Sequence, residues 1–232
     1  MINSDEGNLL NDQKIALDWI KTVEGDKGRI RDGDIYPRLK TWVNSVSTIE
    51  ILEIGAGQGI CSDKIDLAGR NYTGLEHSPL LVDRAKQQYC YANRRFVLGS
   101  AYQLPFSEGV FDAAFSIAVW HLLDDLKKTA SELSRVLKAD GQFLIVTANP
   151  SAYTLWTEMY TDTKSDGRRF EGNMRLQDNS LVRETLYLHP LDEMKNSFSG
   201  ANLRVTAMDT FRRSDKTNGM DLFISIQGQK VL

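Results

Sequence analysis

A short apolar run that stops at three alternate glycines restricts the fold of this chain more than any other feature. Residues 49–54 (IEILEI) pass directly into the glycine turn 55–59 (GAGQG), and a helix is expected over 60–69. Such a run is typical of a strand buried on both faces. Glycines at the turn let a ligand approach main-chain atoms with no Cβ in the way. The segment therefore predicts a ligand-binding α/β unit, and a packing role for the glycines alone is the alternative.

Strand and helix patterns alternate after this turn. Further strands are predicted at 72–76, 94–99, 111–118, 142–148, 181–188, 203–209 and 221–228, and helices at 78–92, 124–137, 152–161 and from 191. Gly141 is expected just past the end of the helix at 124–137. About 100 residues of alternation predict βαβ units and a mostly parallel sheet. Only a dozen turn-rich residues separate the last two strands. That connection is too short for a helical crossover, so these strands should pair antiparallel.

The two flanks of this region differ from it. Helical spacing predicts helices over 8–22 and 36–46, whereas 161–173 is polar and is expected to be a loop. We expect residues 1–48 to form an N-terminal helical lid and residues 49–232 to form the main unit. Within it, 150–200 would be an insertion that caps the substrate side. The whole chain should be a single compact domain.

Composition bounds the function. The chain has 232 residues, 25% of them charged, and a formal net charge of −3, so a nucleic-acid partner is not expected. Two cysteines and three histidines without ligand spacing predict neither a disulfide framework nor a metal site. No apolar stretch approaches the roughly 20 residues of a membrane-spanning helix. With no secretory pattern at the start of the chain, a cytoplasmic location is expected.

One missing glycine argues against a dinucleotide as the ligand of this turn. A dinucleotide fingerprint requires G-x-G-x-x-G, but position 60 is Ile60. A nicotinamide oxidoreductase is therefore the least favoured enzyme. Glu76 lies 21 residues after Gly55, at the end of the second predicted strand. An acidic residue there accepts hydrogen bonds from ribose hydroxyls in nucleotide-binding folds.

Six motifs now occur in order: ILEIGAGQG (51–59), GLEHSP (74–79), GSAYQLPF (99–106), FDAAFS (111–116), LSRVLKADG (133–141) and FLIV (143–146). In this the chain resembles the class I S-adenosylmethionine-dependent methyltransferases, in the branch that includes quinone-biosynthesis and many small-molecule enzymes. The resemblance implies a Rossmann-like class I methyltransferase fold, a seven-stranded mostly parallel sheet with an antiparallel C-terminal hairpin strand. It also implies S-adenosyl-L-methionine as the cofactor.

The resemblance assigns cofactor-binding residues to the matching positions. These are Glu53, Gly55, Ala56, Gly57, Glu76, His77, Ser100, Ala101 and Ser116. The glycine turn would lie against the methionine part, Glu76 would hold the ribose, and His77, Ser100 and Ala101 would lie near the adenine. Ser100 departs from the family, which usually has Asp there, so its contact lacks charge assistance. For Glu53, direct contact and ordering of the loop both stay open.

Methyl transfer from a sulfonium requires positioning and, for a protonated acceptor, a base. His121, just past the fourth predicted strand, is the candidate base, with a lining role as the alternative. Trp120, His189 and Tyr36 are expected in the substrate pocket, although each could equally be structural.

The prediction of the methyl-acceptor class depends mainly on motifs that the sequence lacks. Residues 116–119 (SIAV) lack the [DNS]-P-P-[YFW] pattern of amino-methylating nucleic-acid enzymes, and no paired-glutamate loop of arginine methyltransferases is present. A small-molecule acceptor is therefore favoured. Two alternatives stay open: a protein or RNA acceptor, because of the basic pairs 168–169 and 212–213, and a non-catalytic cofactor-binding protein. The oligomeric state is not predicted.

Overall fold

The computed structural model describes residues 9–25, 30–91, 93–176, 178–213 and 219–231. Helix α1 (Gln13–Glu24) begins at Asp12, whose carboxylate accepts hydrogen bonds from the backbone N–H groups of Lys14 and Ile15. This cap starts the helix later than the spacing predicts. Residue 8 of that prediction lies outside the described residues. A π-helical turn (Arg31–Ile35) then runs directly into α2 (Tyr36–Ser45), which has proline in its first turn as expected.

The central unit follows in strict strand–helix alternation, apart from one connection without a helix between its third and fourth strands. Its elements are β1 (Glu50–Ile54), α3 (Cys61–Lys64), β2 (Asn71–Glu76), α4 (Pro79–Tyr89), β3 (Arg94–Leu98), β4 (Phe111–Ile117), α5 (Leu126–Val136) and β5 (Leu137–Ala148).

The remaining elements form a cap and the closing strands. They are α6 (Tyr153–Thr157), β6 (Thr161–Ser165), β7 (Arg169–Arg175), β8 (Leu181–Tyr187), α7 (Leu191–Ser199), β9 (Leu203–Arg213) and β10 (Asp221–Lys230).

The main sheet has seven strands in the order β3-β2-β1-β4-β5-β10-β9. Strands β1 to β5 pair in parallel, and β10 pairs antiparallel with both β5 and β9. The predicted α/β fold, a seven-stranded mostly parallel sheet closed by an antiparallel hairpin strand, is confirmed. Because the carboxyl ends of the parallel strands share one edge, the turns after β1, β2, β4 and β5 meet there.

Alternate side chains of the sheet enter two separate cores. Ile51 and Phe115 face the layer that contains α2, where Trp42 packs edge-on to Phe115 with 6.5 Å between ring centres. Leu52 faces the other layer, which contains α5 and α7. Both faces of the parallel strands are therefore covered, which explains why their sequences are continuously apolar.

Two predicted helices are shorter in the structure, and one helix cap was wrong. Helix α3 ends at Lys64, where 60–69 was predicted, because Ile65 and Leu67 are both buried and an extended backbone points alternate residues into the core. Helix α6 likewise covers only part of 152–161. Gly141, expected just past α5, lies within β5, where a Cβ would approach the Lys138 carbonyl oxygen to 2.9 Å.

The polar stretch 161–173 was predicted as a loop, and this too was wrong. It forms β6 and most of β7, which pair with β8 in a second, three-stranded antiparallel sheet. Every side chain of β6 is exposed, so apolar alternation was absent from its sequence. Phe170 is the anchor of this small sheet: it is 1% exposed and packs against the rings of Tyr153 and Tyr160.

Candidate functional site

The glycine turn after β1 has one open position. All three glycines have left-handed backbone angles, with φ of +80° at Gly55, +56° at Gly57 and +88° at Gly59. A Cβ on Gly55 would lie 2.2 Å from Val119 Cγ2, and one on Gly59 would lie 2.8 Å from the Phe96 ring. A Cβ on Gly57 would meet nothing within 4 Å. Packing therefore requires two of the glycines, and only Gly57 borders free space that a ligand could enter.

Glu76, at the end of β2, ties this turn to the next one. Its Oε2 accepts a hydrogen bond from the Gly57 N–H at 2.9 Å, and its Oε1 accepts from the N–H groups of His77 and Ser78, each at 2.8 Å. Burial raises the pKa of Glu76, and these three N–H groups oppose that effect. A carboxylate has about four acceptor positions, so capacity for a ligand hydroxyl remains.

Glu53 lies beneath the turn and is 1% exposed. It accepts a hydrogen bond from the Tyr72 hydroxyl and has the Cys61 thiol as a second neighbour. Burial raises the pKa of Glu53 to about 7, although both neighbours and the positive charge of Arg31 pull it down. The observed contacts are those of a carboxyl group that orders the loop.

The other predicted cofactor residues have varied surroundings. Ser100 accepts a hydrogen bond from the Tyr102 N–H at 3.2 Å, and Ala101 beside it packs against the core. His77 is half-buried. Ser116 is enclosed between strands, where its hydroxyl donates to the Ile54 carbonyl at 2.9 Å. Ala56 is buried, and its N–H donates to the Leu75 carbonyl at 2.8 Å. Cofactor contact by these residues stays a prediction.

A pocket lies beyond the ends of β4 and β5, beside the end of β8. It contains about 390 Å³ of empty space, part of it continuous with solvent. Its apolar and aromatic walls are Trp120, Trp156, Leu186, Tyr187, Leu188 and Met194. Its polar side chains include His121, Thr147, Asn149 and His189. This pocket is the candidate acceptor site, since it adjoins the carboxyl edge of the sheet.

His121 reaches the pocket through a sharp turn. Ala118, directly after β4, has a φ of +59°, and the chain then forms a single 3₁₀ turn, Trp120–Leu122. The His121 ring stacks against Trp156, and its Nδ1 lies 3.0 Å from Thr147 Oγ1. Burial lowers the pKa of His121 to about 4, assisted by the charges of Arg31 and His189. The imidazole is therefore neutral at pH 7.

His189 joins the cap to this turn. It is 4% exposed, and its Nε2 donates a hydrogen bond to the Leu123 carbonyl at 2.6 Å. Its Nδ1 lies 3.6 Å from Glu193 Oε1. Trp120 is fully buried against Phe198, with ring centres 5.1 Å apart.

The structure thus brings three of the four predicted acceptor residues together: Trp120, His121 and His189 line one pocket. Tyr36 is not among the described residues that line it. It lies in the core cluster of α2, near Lys64, whose Nζ is 5.6 Å from the centre of the ring. Burial raises the pKa of Tyr36.

Sequence reasoning missed Thr147, Trp156 and Arg31. Thr147 had a signal, because it is a polar residue near the end of an otherwise apolar strand. Trp156 lay in a recognised helix, but nothing in its sequence placed it against His121. Arg31, which lowers the pKa of both Glu53 and His121, lies in a polar stretch without periodicity.

Comparison with known families now adds to this geometry. Residues 52–145 match the family model described as a methyltransferase domain. This segment, which runs from β1 into β5, is the part of the chain that matches a methyltransferase domain. S-adenosylmethionine is the cofactor of that family.

Curated relatives cover more of the chain. A phthiotriol/phenolphthiotriol dimycocerosates methyltransferase of Mycobacterium leprae is 29% identical over 157 residues, which are 65% of this chain and 57% of that protein. A malonyl-[acyl-carrier protein] O-methyltransferase of Serratia marcescens is 30% identical over 141 residues, 60% of this chain and 54% of that protein. The match thus spans about half the length of these two relatives.

Solved structures support the fold. An S-adenosylmethionine-dependent methyltransferase from Clostridium acetobutylicum superposes with a TM-score of 0.69 at 13% identity, covering 94% of this chain and 98% of that one. One from Methanosarcina mazei has a TM-score of 0.66 at 19% identity, covering 83% and 97%. At these identities the likeness establishes the class I methyltransferase fold.

The described residues contain neither a metal-binding cluster nor a membrane-spanning helix. Within the described ranges, no group of three or more His, Cys, Asp or Glu side chains is arranged to hold a metal ion. No helix of that part of the chain is long and apolar enough to cross a membrane.

Proposed function

We propose that this chain binds S-adenosylmethionine along the turn after β1 and transfers its methyl group to a small molecule in the pocket beside β5. The observation that carries the proposal is the contact between Gly55 and Val119. Val119 immediately precedes Trp120 and His121, which line the pocket. The open glycine turn and the acceptor pocket therefore adjoin, as transfer between two bound molecules requires.

The cofactor fits the residues present. Gly57 leaves the space that a Cβ would otherwise occupy, and the main chain there could approach the methionine part. Glu76 would accept from the ribose hydroxyls, with His77, Ser100 and Ala101 toward the adenine. When bound, S-adenosylmethionine supplies an electrophilic methyl group on a positively charged sulfur. The protein's part is to hold both molecules in line and to exclude water.

A small acceptor suits the pocket better than a polymer. Its walls are mostly apolar, and Leu186 and Tyr187 at the end of β8 form part of them. Three of the four arginines that kept a macromolecular acceptor open form ion pairs: Arg168 with Glu193, Arg169 with Glu171, and Arg212 with Asp34. The two relatives are named for different substrates, so they support a small or carrier-bound acceptor without identifying it.

Titration calorimetry tests the cofactor assignment. S-adenosylmethionine and S-adenosylhomocysteine should bind, whereas NAD should not. Gly57→Ala should weaken the binding of both by about tenfold, because a methyl group would enter the ligand's space. Gly109→Ala is the matched control, since Gly109 also has a positive φ, +65°, and open surroundings. Binding of NAD together with no response to either sulfur ligand would refute the proposal.

We propose in addition a cytoplasmic location and, on the basis of the net charge of −3, no nucleic-acid partner. Cell fractionation and a filter-binding assay with tRNA at low salt test the two statements. Retention of tRNA at physiological salt would contradict the second.

A further inference from the structure

We propose that the methyl acceptor is the carboxylate of an apolar acid, which is methylated without a general base. The inference rests on the proposed function and names the acceptor class for the same pocket. It comes from how the two histidines of that pocket are arranged and from the absence of charged side chains on its walls.

The walls suit an apolar body. Among the described residues that line the pocket, none is Asp, Glu, Lys or Arg. Trp156, Tyr187 and Met194 offer aromatic and thioether surface, which gains from removing an alkyl or aryl group from water. No carboxylate of the lining is available to take a proton, and none would repel an anionic acceptor.

His121 is not set up as a base. A histidine base is ordinarily oriented by a carboxylate that stabilises the imidazolium. Here Nδ1 faces the neutral hydroxyl of Thr147 at 3.0 Å. The low pKa of this imidazole, about 4, makes it a poor acceptor for the proton of an alcohol or phenol. If the Thr147 hydroxyl donates to Nδ1, then Nε2 carries the hydrogen and can donate to an acceptor oxygen.

His189 is not set up as a base either. Its Nε2 must carry a hydrogen, because its partner, the Leu123 carbonyl, only accepts. Its Nδ1 is buried without a hydrogen-bond partner, and the nearest described carboxylate, Glu193, is 3.6 Å away. Nε2 is thus engaged by the carbonyl, and Nδ1 has no accessible surface, so neither nitrogen can take a proton from an acceptor in the pocket.

The surroundings also favour an anion. The charge of Arg31 is felt at His121, where it lowers the pKa of the imidazole. In the described chain Arg31 forms no ion pair, and its guanidinium lies 5.6 Å from the centre of the Trp19 ring. A carboxylate in this region would gain from that charge and from a donated N–H of His121, which offsets part of its desolvation.

A carboxylate needs no proton removed. One carboxylate oxygen forms the new bond to the methyl carbon as the carbon–sulfur bond breaks, and the electron pair of that bond goes to sulfur. The products are a methyl ester and a neutral thioether. No proton moves, so a pocket without a competent base is sufficient for this acceptor but not for a phenol or an alcohol.

A matched panel tests the acceptor class on the full chain. Decanoate and 3-phenylpropanoate would be compared with decan-1-ol, 3-phenylpropan-1-ol and decan-1-amine, using methyl-labelled S-adenosylmethionine. At least one acid should yield a base-labile methyl ester, detected as volatile labelled methanol. Label in an alcohol or the amine alone, or in none of the acids, would overturn the proposal. Binding of S-adenosylhomocysteine, measured first, separates this from the proposed function: without that binding the cofactor assignment itself fails.

Two variants test the proposed role of His121 as a hydrogen-bond donor to the acceptor. His121→Gln keeps a hydrogen-bond donor and should retain kcat/KM for the acid within about fivefold. His121→Phe removes the donor and should lower it by more than tenfold, with the affinity for S-adenosylhomocysteine unchanged in both. Equally large losses of kcat in the two variants would show that proton transfer is needed and would contradict a base-free reaction.

Discussion

The glycine turn after β1 is held by main-chain N–H groups that meet on one carboxylate, whereas the pocket beside β5 is lined by side chains from separate elements. In the turn, Glu76 collects three backbone N–H groups from residues within 19 positions of it. In the pocket, His121 contacts Thr147 and Trp156, and His189 bonds to Leu123 from 66 positions away.

This difference separates a turn whose shape is set by its own backbone from a pocket whose shape is set by side chains distant in sequence. The turn keeps its shape when most neighbouring side chains change, provided that its glycines and the Glu76 carboxylate are retained. A side-chain site changes with each substitution in the cap, so the acceptor can vary while the cofactor does not. Four substitutions test whether the two regions are as independent as this comparison implies.

The largest effect is expected at Gly55. In Gly55→Ala the new Cβ would lie 2.2 Å from Val119 Cγ2 at a φ of +80°. Overpacking and backbone strain together should lower the free energy of unfolding by about 3 kcal/mol, measured by urea denaturation. Gly57→Ala, with strain but no clash, should lose only about 1 kcal/mol. Val119→Ala should restore part of the loss in the double variant; equal losses at both glycines would contradict the packing argument.

Glu76→Gln should weaken S-adenosylhomocysteine binding by about 10- to 100-fold, the scale of a lost charge-assisted hydrogen bond. Asp112→Asn is the matched control. Asp112 also accepts from two backbone N–H groups, those of Ile49 and Glu50, but at the opposite end of β1. The control should lose stability and keep its affinity in calorimetry. Unchanged affinity in Glu76→Gln would show that the ribose does not bind at Glu76.

Glu53 should make the cofactor region sensitive to pH. Its pKa of about 7 in the folded protein lies above its ordinary value of 4.5, so the folded state holds the proton more tightly. Stability therefore falls as pH rises between those values, and the penalty is complete above pH 7. Glu53→Gln should gain about 2 kcal/mol over the native protein between pH 5 and pH 8, measured by urea denaturation at both. A constant difference would show that Glu53 is ionised at little cost.

Trp156→Phe should give the smallest effect and confine it to the acceptor pocket. The substitution removes the hydrogen bond from Nε1 to the Leu222 carbonyl and part of the wall beside His121. KM for the acceptor should rise about fivefold, roughly 1 kcal/mol, with cofactor affinity unchanged. Trp42→Phe, in the core under α2, should lower stability without changing KM. A parallel loss of cofactor affinity in Trp156→Phe would couple the two regions.

Much of the cofactor half could be predicted from the sequence. The apolar run 50–54, its glycines and Glu76 are consecutive signals whose geometry follows from a strand, a tight turn and a second parallel strand. The cap was predicted less well. Strand β6 has no buried side chain to create a pattern, and its pairing depends on β7 and β8, which lie further along the chain.

The order of the βαβ units, the antiparallel closing hairpin and the position of the glycine turn were determined by the sequence alone. These features follow from local periodicity and from the backbone freedom of single residues. Tertiary structure decided which glycine stays open, because the space over Gly55 is filled by Val119 from a distant turn. It also decided that His121 is neutral and faces Thr147, since burial and neighbouring charges set the pKa of an imidazole and no local pattern encodes them.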